Sequence, residues 1–370
     1  MNPHLPLRDP SSLLSPSLLI DRATVRENLT KLIGIAGGVE RLRPHVKTHK
    51  MAAIVQLAES LGICKHKCAT IAEADMIGEA GGTDALLAYP LVGPNVARFV
   101  ALIQRYPATV FRALVDCPVA ARELSEAAAA LPRPIPVLVD LDVGMGRTGI
   151  DPGDPAFELY QLLAELPNLS PDGLHAYDGH VHDTDLEDRR RSVLPGQEQT
   201  LALRARLLAR GLPVPRLVMG GTPSFPIHAR LPVPEVECSP GTIVLQDQGY
   251  LTAYPDLPFA PAAFLLTRVV SRPRPGRLCF DLGHKAVAAD PAGPRVRLIG
   301  LDDARFVGHN EEHLVVETAE ADRFPVGTCL LAIPTHICPT TALHRTVSVV
   351  EQGELVGEWP VTARDRVLHV

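Results

Sequence analysis

The segment RPHVKTHK (43–50) places two lysines, two histidines and an arginine between two apolar stretches with helical periodicity. Burial or nearby cations lower the pKa of a lysine, so that its amine becomes a nucleophile near neutral pH. Lys47 has Arg43, His45 and His49 close to it in sequence and could be such a lysine. Spacing alone favours a basic surface loop, so a reactive lysine stays a hypothesis at this point.

A second candidate is the segment THIC (335–338), in which His336 and Cys338 are two positions apart. The surrounding residues predict a strand, and alternate residues of a strand project from the same face. An imidazole and a thiolate on one face suit zinc better than magnesium. The alternative is a buried histidine beside a buried cysteine, which is the more common outcome for an isolated pair.

A third candidate is the loop MGGTPS (219–224), which follows an apolar, strand-like run. Gly220 and Gly221 would expose backbone amides, and Thr222 and Ser224 would add hydroxyl groups. Such a loop at the end of a barrel strand can bind a phosphate. The pattern is weak by itself, because many loops between strands and helices share it.

The segment DVGMGRTG (142–149) has its glycines in the GxGxxG spacing of dinucleotide-binding folds. That motif works when a helix begins at the last glycine and directs its N-terminus at the pyrophosphate. Here IDPGDP (150–155) follows, and its prolines prevent a helix from starting there. The sequence therefore argues against a nicotinamide enzyme, while Asp140, Asp142 and Arg147 remain candidates at a strand end.

The segment CKHKC (64–68) predicts a strand with its cysteines and histidine on one face. These three residues could bind a metal, but structural zinc sites usually contain CxxC pairs, and no second pair follows. We therefore interpret the segment as a strand that packs small apolar cysteines.

Apolar, β-branched runs alternate with helix-periodic stretches from about residue 20 to residue 245. Repeated βα units form parallel sheets buried on both faces, and their number here predicts a closed (β/α)8 barrel. From about residue 260 onward the helical pattern disappears, and short β-like runs are separated by turns. We therefore expect a barrel over residues 20–255 and an antiparallel β domain formed by residues 1–19 and 256–370.

The composition excludes several classes of protein. A formal net charge of -6 argues against a nucleic-acid partner, because phosphate binding needs a basic face. Seven cysteines, an odd number, suit a reducing compartment better than a disulfide framework. The first residues lack the basic start and apolar core of a signal peptide, and no apolar run approaches the roughly 18 residues of a membrane span. We therefore expect a cytoplasmic protein with no membrane partner.

Taken together, these segments resemble one enzyme family. RPHVKTHK, VDLDVGMGRTG (139–149), GLHAYDGH (173–180), GGTPS (220–224) and PTHICPT (334–340) occur in the order typical of the D-threonine aldolase and D-serine dehydratase family. The resemblance spans nearly the whole chain. It implies a pyridoxal 5′-phosphate (PLP) enzyme with an alanine-racemase-like barrel followed by a β domain. It also implies a homodimer that acts on a small D-amino acid.

The resemblance further assigns cofactor residues. Lys47 would hold PLP as a Schiff base with His45 beside it, which would place the basic segment at a barrel strand end rather than on the surface. Arg147 would lie near the pyridine ring, and Tyr177 would lie against the cofactor and substrate. The residues that would surround the cofactor phosphate are Gly220, Gly221, Thr222, Ser224, Gly241 and Thr242.

His336 and Cys338 match the divalent-metal site of this family, and their mixed donors favour zinc, with manganese as an alternative. The metal would bind the β-hydroxyl of a β-hydroxy-D-amino acid. If Lys47 takes the α-proton and hydroxide leaves, the products are a keto acid and ammonia. If a base takes the hydroxyl proton instead, retro-aldol cleavage gives glycine and an aldehyde.

Two details of the resemblance bear on this choice of reaction. Histidine-x-cysteine resembles the dehydratase branch, since the well-known aldolases carry aspartate in place of Cys338. The histidine that serves the aldolases as base lies six positions after the tyrosine, where this chain has Asp183, although His180 or His182 could substitute for it. The resemblance therefore favours dehydration, with retro-aldol cleavage as the alternative and amino acid racemisation as a further one.

Overall fold

A computed structural model describes residues 7–11 and 13–366 of the chain. Two compact units are present. The barrel unit comprises Leu32–Lys47 and Ala52–Gly241, together with the described residues that follow Arg364. The β unit comprises the described residues up to Lys31, together with Thr48–Met51 and Thr242–Arg364. This grouping places residues 242–255 in the β unit, and the domain boundary expected at residue 255 stays a prediction.

The chain first forms strand β1 (Ser17–Asp21) and helix α1 (Arg22–Ala36). The strands of the barrel unit are β2 (Lys65–Cys68), β3 (Asp84–Leu87), β4 (Val110–Val115), β5 (Ile135–Leu141), β6 (Leu169–Ala176), β7 (Leu217–Met219) and β8 (Val236–Cys238). The helices that alternate with them are α2 (Ala52–Ser60), α3 (Ile71–Glu79), α4 (Pro94–Arg105), α5 (Pro118–Ala127), α6 (Asp154–Glu165), α7 (Leu186–Ala209) and α8 (Phe225–His228).

The parallel sheet closes into a barrel through the extended segment 42–45. Strands β2 to β8 pair in sequence order. On one side of the segment, Arg43 N donates to Cys238 O at 2.9 Å, and on the other side Lys67 N donates to Pro44 O at 2.9 Å. The segment is thus the eighth strand, and closure leaves no exposed sheet edge. The predicted (β/α)8 barrel is confirmed.

Charged side chains fill the barrel at the N-terminal ends of its strands. Arg43 donates to Glu237 at 2.7 Å and to Asp84 at 2.6 Å, and its side chain is fully buried. Lys65 bonds Glu237 at 2.7 Å, and Arg112 bonds Asp84 at 2.9 Å. The position of Arg43 corrects the view of RPHVKTHK as one basic cluster, because its guanidinium is committed to this network and not to Lys47.

Apolar side chains form the next layer along the barrel. Leu86, Leu114, Leu138 and Val218 project from four different strands and pack into one buried cluster. Layers of branched side chains contributed by several strands are the usual filling of such barrels. Polar groups at the C-terminal ends of the strands are thereby separated from the charged network at the N-terminal ends.

We expect Glu237→Gln to lower the free energy of unfolding by about 3–5 kcal/mol, because it leaves the buried Arg43 without one of its charged partners. Burial raises the pKa of the Glu237 carboxyl, but Arg43 and Lys65 outweigh it and lower the pKa from 4.5 to about 2. Since the folded-state pKa is the lower one, this stabilisation is complete above pH 4.5 and is lost as the pH falls towards 2.

Urea unfolding at several pH values measures this effect. Glu235→Gln is the matched control, because Glu235 bonds Arg204 but its side chain is 33% exposed against 5% for Glu237. We expect the control to change stability by about 1 kcal/mol or less. Equal losses in the two variants would contradict a special role for the buried network.

The β unit contains one large sheet. Its elements are β1 with α9 (Gln248–Ala253), β9 (Ala263–Ser271), β10 (Arg277–Phe280), β11 (Val296–Leu298), β12 (Arg305–His309), β13 (Leu314–Glu317), β14 (Cys329–Pro334), α10 (Ile337–Leu343), β15 (Thr346–Glu351) and β16 (Glu354–Pro360). The strand order is β12-β13-β10-β9-β1-β15-β16, with β14 pairing β9 and β11. All pairs are antiparallel except β1 with β15, so the predicted antiparallel sheet is confirmed with one parallel exception.

The absence of helices after residue 260 is the part of the sequence interpretation that is wrong. Helix α10 starts directly after His336, and Pro339 lies in its first turn, where a proline is tolerated. A carboxylate oxygen of Asp247 accepts the amide of Ile337 at 3.1 Å and so satisfies a helix-terminal donor. That acceptor lies 90 positions earlier in the chain, which local patterns do not reveal. In the described part of the chain, no helix is long and apolar enough to span a membrane.

Candidate active site

Tyr177, directly after β6, is surrounded by cations of the barrel unit. Its ring centroid lies 5.8 Å from Lys47 Nζ and 5.2 Å from the guanidinium carbon of Arg147. A third cation, Lys67 Nζ, lies 5.3 Å from the same ring. The structure therefore brings together Lys47, Arg147 and Tyr177, as the sequence analysis expected, and adds a lysine that it had not singled out.

Lys47 follows the eighth barrel strand and is half-buried. The backbone amide of Lys47 donates to Nδ1 of His45 at 3.3 Å, so the imidazole of His45 supports the turn that carries the lysine. The amide of His45 donates to Pro240 O at 2.8 Å, which anchors this turn to the end of β8. Rigid strands thus position the amine, as a site for covalent chemistry requires.

The loop after β7 is held by hydrogen bonds. Gly220 has φ +76°, and a Cβ there would lie 2.5 Å from the ring of His228, so glycine is required. The amide of Gly221 donates to Ser224 Oγ at 3.0 Å, and that hydroxyl donates to Asp178 at 2.7 Å. His228 Nε2 bonds the same carboxylate at 2.7 Å. Because the Ser224 proton is engaged in this way, cofactor binding by Ser224 stays a prediction.

Thr222 connects this loop to the segment after β8. Its Oγ1 accepts the amide of Gly241 at 3.1 Å, and both residues are buried. Thr242 belongs to the β unit, and its Oγ1 lies 3.6 Å from Cys338 Sγ. The structure therefore brings Thr222 and Gly241 together, while the expected role of Thr242 in phosphate binding remains a prediction.

A buried histidine–aspartate pair lines the pocket beside Tyr177. His175 Nδ1 bonds Asp140 at 2.6 Å, and a pocket is lined by both residues together with Arg147 and Tyr177. Burial, and next the nearby Lys67, lower the pKa of His175, so its imidazole is neutral at neutral pH. In that state Nδ1 donates to Asp140 and Nε2 is an acceptor, for which residues 7–11 and 13–366 offer no donor.

These residues fit PLP. An aromatic ring with anionic substituents matches the positively charged side chains around Tyr177. Lys47 would hold the cofactor covalently, and the loop after β7, which contains Gly220 and Gly221, would approach its phosphate closely.

Sequence reasoning missed Lys67 and His175, although both lie in segments that it examined. In CKHKC, the alternation that places Cys68 and His66 on one face necessarily places Lys67 on the other. The pattern does not indicate which of the two faces points into the barrel. His175 lies two positions before Tyr177 in GLHAYDGH, at the same strand end.

His180 and His182 lie in the loop between β6 and α7, and both side chains are exposed. The ring of His180 packs on Gly144, where an added Cβ would lie 2.9 Å from Nε2. Asp183, at the position of the aldolase histidine, uses its carbonyl to accept from Arg189 at 3.2 Å. A role for either histidine as a base stays a prediction.

The β unit holds His336 and Cys338 at the start of α10 and not on a shared strand face. A hydrogen bond to Cys338, and next one to Asp290, raise the pKa of His336 to about 9 despite partial burial. Cys338 Sγ also lies 3.2 Å from Thr48 Oγ1. His336 and Cys338 thus lie together at a helix start, and their role as metal ligands stays a prediction.

This donor set fits a divalent metal of the zinc type. Within the described residues, no group of three or more histidine, cysteine, aspartate or glutamate side chains is arranged to hold a metal. Two protein donors would leave the other coordination positions for substrate oxygens or water, as in catalytic sites with open positions.

A closed barrel with a lysine, a buried imidazole and a glycine loop at its strand ends, followed by a β unit, defines the alanine-racemase-like class of PLP enzymes. The family described as alanine racemase, N-terminal domain, matches residues 20–245, and the putative serine dehydratase domain matches residues 262–350. The chain belongs to the D-threonine aldolase and D-serine dehydratase family of PLP-dependent lyases.

Similar proteins cover nearly the whole chain. A D-threonine aldolase from Arthrobacter sp is 30% identical over 95% of this chain and 92% of its own length. A 3-hydroxy-D-aspartate aldolase from Paracoccus denitrificans (strain Pd 1222) is 29% identical over 98% and 95%. A D-threo-3-hydroxyaspartate dehydratase from Delftia sp. (strain HT23) is 26% identical over 94% and 97%. The crystal structure of D-threonine aldolase from Filomicrobium marinum superposes with a TM-score of 0.90 at 29% identity, covering 97% of each chain.

Proposed function

We propose that this protein is a PLP- and divalent-metal-dependent lyase that dehydrates a β-hydroxy-D-amino acid to a keto acid and ammonia. The observation that carries the dehydratase branch is the placement of an imidazole and a thiol, from His336 and Cys338, together at the start of α10. This pair supplies the donors of a Lewis-acidic metal, and in the resemblance the cysteine is typical of dehydratases.

Retro-aldol cleavage to glycine and an aldehyde is the second candidate. Two similar proteins, at 30% and 29% identity to this chain, are aldolases, and this similarity favours cleavage. It requires a base that takes the proton of the β-hydroxyl. His180 and His182 are the histidines near Tyr177 in sequence, and their exposure gives this role no particular support.

The residues of the barrel unit would divide the work as follows. Bound PLP withdraws electrons from the α-carbon of the substrate and so makes its proton acidic. Lys47 would hold the cofactor and take the α-proton. Arg147, whose guanidinium lies beside the Tyr177 ring, would keep positive charge near the pyridine ring of the cofactor. Tyr177 would pack against the cofactor and exclude water from one face.

His336 and Cys338 would act on the β-oxygen of the substrate. They would hold the metal, which would supply Lewis acidity at that oxygen. The carboxylate of Asp290 hydrogen-bonds Nδ1 of His336 and fixes the orientation of its ring. Such outer partners commonly set the tautomer and basicity of a metal-binding histidine.

Product identification tests this proposal. Protein loaded with PLP and zinc is incubated separately with D-serine, D-threonine and D-threo-3-hydroxyaspartate, with the L-isomers as controls. We expect keto acid and ammonia from at least one D-substrate. If glycine and an aldehyde are found instead, the protein catalyses the aldolase reaction and not dehydration. The absence of both product pairs would overturn the lyase proposal.

Three further properties belong to the proposal. Zinc is the preferred metal because thiolate and imidazole are its usual donors, and manganese is the alternative. A reducing, cytoplasmic location suits the seven cysteines, which all carry thiols and not disulfides. A homodimer is expected from the family resemblance, and sedimentation of the purified protein measures it directly.

A further inference from the structure

Lys67 occupies an unusual place for a lysine. It lies in β2 two positions after Lys65, so both side chains project to the same face of the strand. Lys65 reaches Glu237 in the charged network inside the barrel. Lys67 therefore also projects into the barrel, nearer the C-terminal strand ends, and it is only 3% exposed.

The amine of Lys67 is directed at the cofactor pocket. Its Nζ lies 5.3 Å from the Tyr177 ring centroid, beside the ring that Lys47 and Arg147 also approach. Within the described residues, its Nζ makes no hydrogen bond or ion pair. Lysine is almost never buried without a partner, because removing an ammonium from water is costly.

The carboxylates near Lys67 already have other partners. Asp140 accepts from His175 at 2.6 Å and from Thr148 at 3.0 Å. Asp178 bonds Ser224 and His228, each at 2.7 Å. A role for Lys67 as a purely structural counterion is therefore poorly supported, and a ligand is the natural partner for its amine.

The surroundings also make this amine able to exchange a proton near neutral pH. Burial, and next the positive charge of Lys47, lower the pKa of Lys67 to about 7, with Arg147 acting in the same direction. Asp140 and Asp178 oppose the shift only in part. A group with a pKa near the working pH is an effective general acid and base.

We propose that Lys67 is a further catalytic residue of this site, whose amine contacts the bound cofactor and substrate and exchanges a proton with one of their oxygen atoms. The protonated amine gives its proton to that oxygen, and the neutral amine takes it back, so that Lys67 is unchanged after each turnover. This inference rests on the proposed binding of PLP, but not on which lyase reaction follows.

The first test is a pH titration of the visible absorbance of the PLP-loaded protein. We expect a pH-dependent spectral transition in the wild type and none in Lys67→Met. Lys65→Met is the matched control, on the same face of the same strand, and should keep the transition. Lys67→Arg keeps the charge but cannot lose its proton, so it should lack the transition too.

Turnover provides a second readout. We expect kcat to fall about 100-fold in both Lys67→Met and Lys67→Arg, the lower end of the range for losing an acid–base group. A transition with an unchanged midpoint in Lys67→Met would overturn the proposal. Restored turnover in Lys67→Arg would likewise overturn it, because charge alone would then suffice.

Chemical labelling of the wild-type protein keeps the test valid if Lys67→Met does not fold. Acetic anhydride labels neutral amines, and mass spectrometry locates them. We expect Lys67 to be labelled in the protein without PLP and protected at least tenfold after loading. Equal labelling in both states would overturn the contact. A protein that yields no lyase product but retains the Lys67-dependent transition would refute the proposed function and leave this inference standing.

Discussion

Lys47→Ala is expected to abolish the visible absorbance of the PLP-loaded protein and to lower lyase activity by about 10⁴-fold, the upper range for losing an acid–base group. The proposed covalent link to PLP depends on this amine, which the eighth barrel strand presents 5.8 Å from the Tyr177 ring. Absorbance spectroscopy and steady-state kinetics measure the two effects.

Lys50→Ala is the matched control, because Lys50 lies in the same basic segment but belongs to the β unit. Its backbone has φ 55°, and its carbonyl accepts the amide of Ala363 at 3.3 Å. This variant should keep both colour and activity. A control that loses the colour while Lys47→Ala keeps it would reverse the assignment.

The nearby amine of Lys67 makes one refinement necessary. A second buried lysine could capture PLP when Lys47 is removed, so residual colour alone is ambiguous. Borohydride reduction followed by peptide mapping resolves this, because it fixes the cofactor to the lysine that holds it. We expect the label on Lys47 in the wild type, and a label on any other residue there would refute the cofactor assignment.

His336→Ala should lower activity about 10³-fold while the visible absorbance of the loaded protein stays unchanged. The expected loss reflects the several kcal/mol that a Lewis-acidic metal contributes to charge stabilisation. The colour should persist because the residues proposed to hold the cofactor, Lys47, Arg147 and Tyr177, are unchanged in this variant. Chelator treatment of the wild type should likewise lower activity while the visible absorbance stays unchanged.

Metal content supplies the independent measurement. We expect bound zinc to fall well below one ion per chain in His336→Ala and in Cys338→Ser, as measured by elemental analysis after dialysis. His313→Ala is the control, because His313 is an exposed histidine of the same unit. Full activity of metal-stripped wild-type protein would remove the metal from the mechanism.

Much of the fold and part of the site follow from the sequence. The barrel was predictable because a parallel strand buried on both faces must be apolar throughout, and because each strand is followed by a helix-periodic stretch. Lys47 and the loop 219–224 were candidates from short motifs, and only the family resemblance assigned them cofactor roles, which stay predictions. Arg147 was a candidate from its position at a strand end, and Tyr177 came from the family resemblance. The structure places Lys47 and Arg147 beside the Tyr177 ring.

Other features depended on contacts that no local pattern encodes. Helix α10 begins where it does with help from Asp247, a residue that is distant in sequence. Arg43 forms ion pairs with Glu237 and Asp84 because barrel closure brings the first and last strands together. Its guanidinium is therefore not directed at Lys47, although the two residues are close in sequence.

The alternation of CKHKC by itself determined that Lys67 projects opposite to His66. Only the closed barrel decided that this face is the enclosed one. The same closure brings the side chains of Lys47, Lys67 and Arg147 close to the ring of Tyr177. The physical reason is that sequence periodicity fixes the direction of a side chain relative to its own strand, whereas burial and charge depend on the strands that surround it.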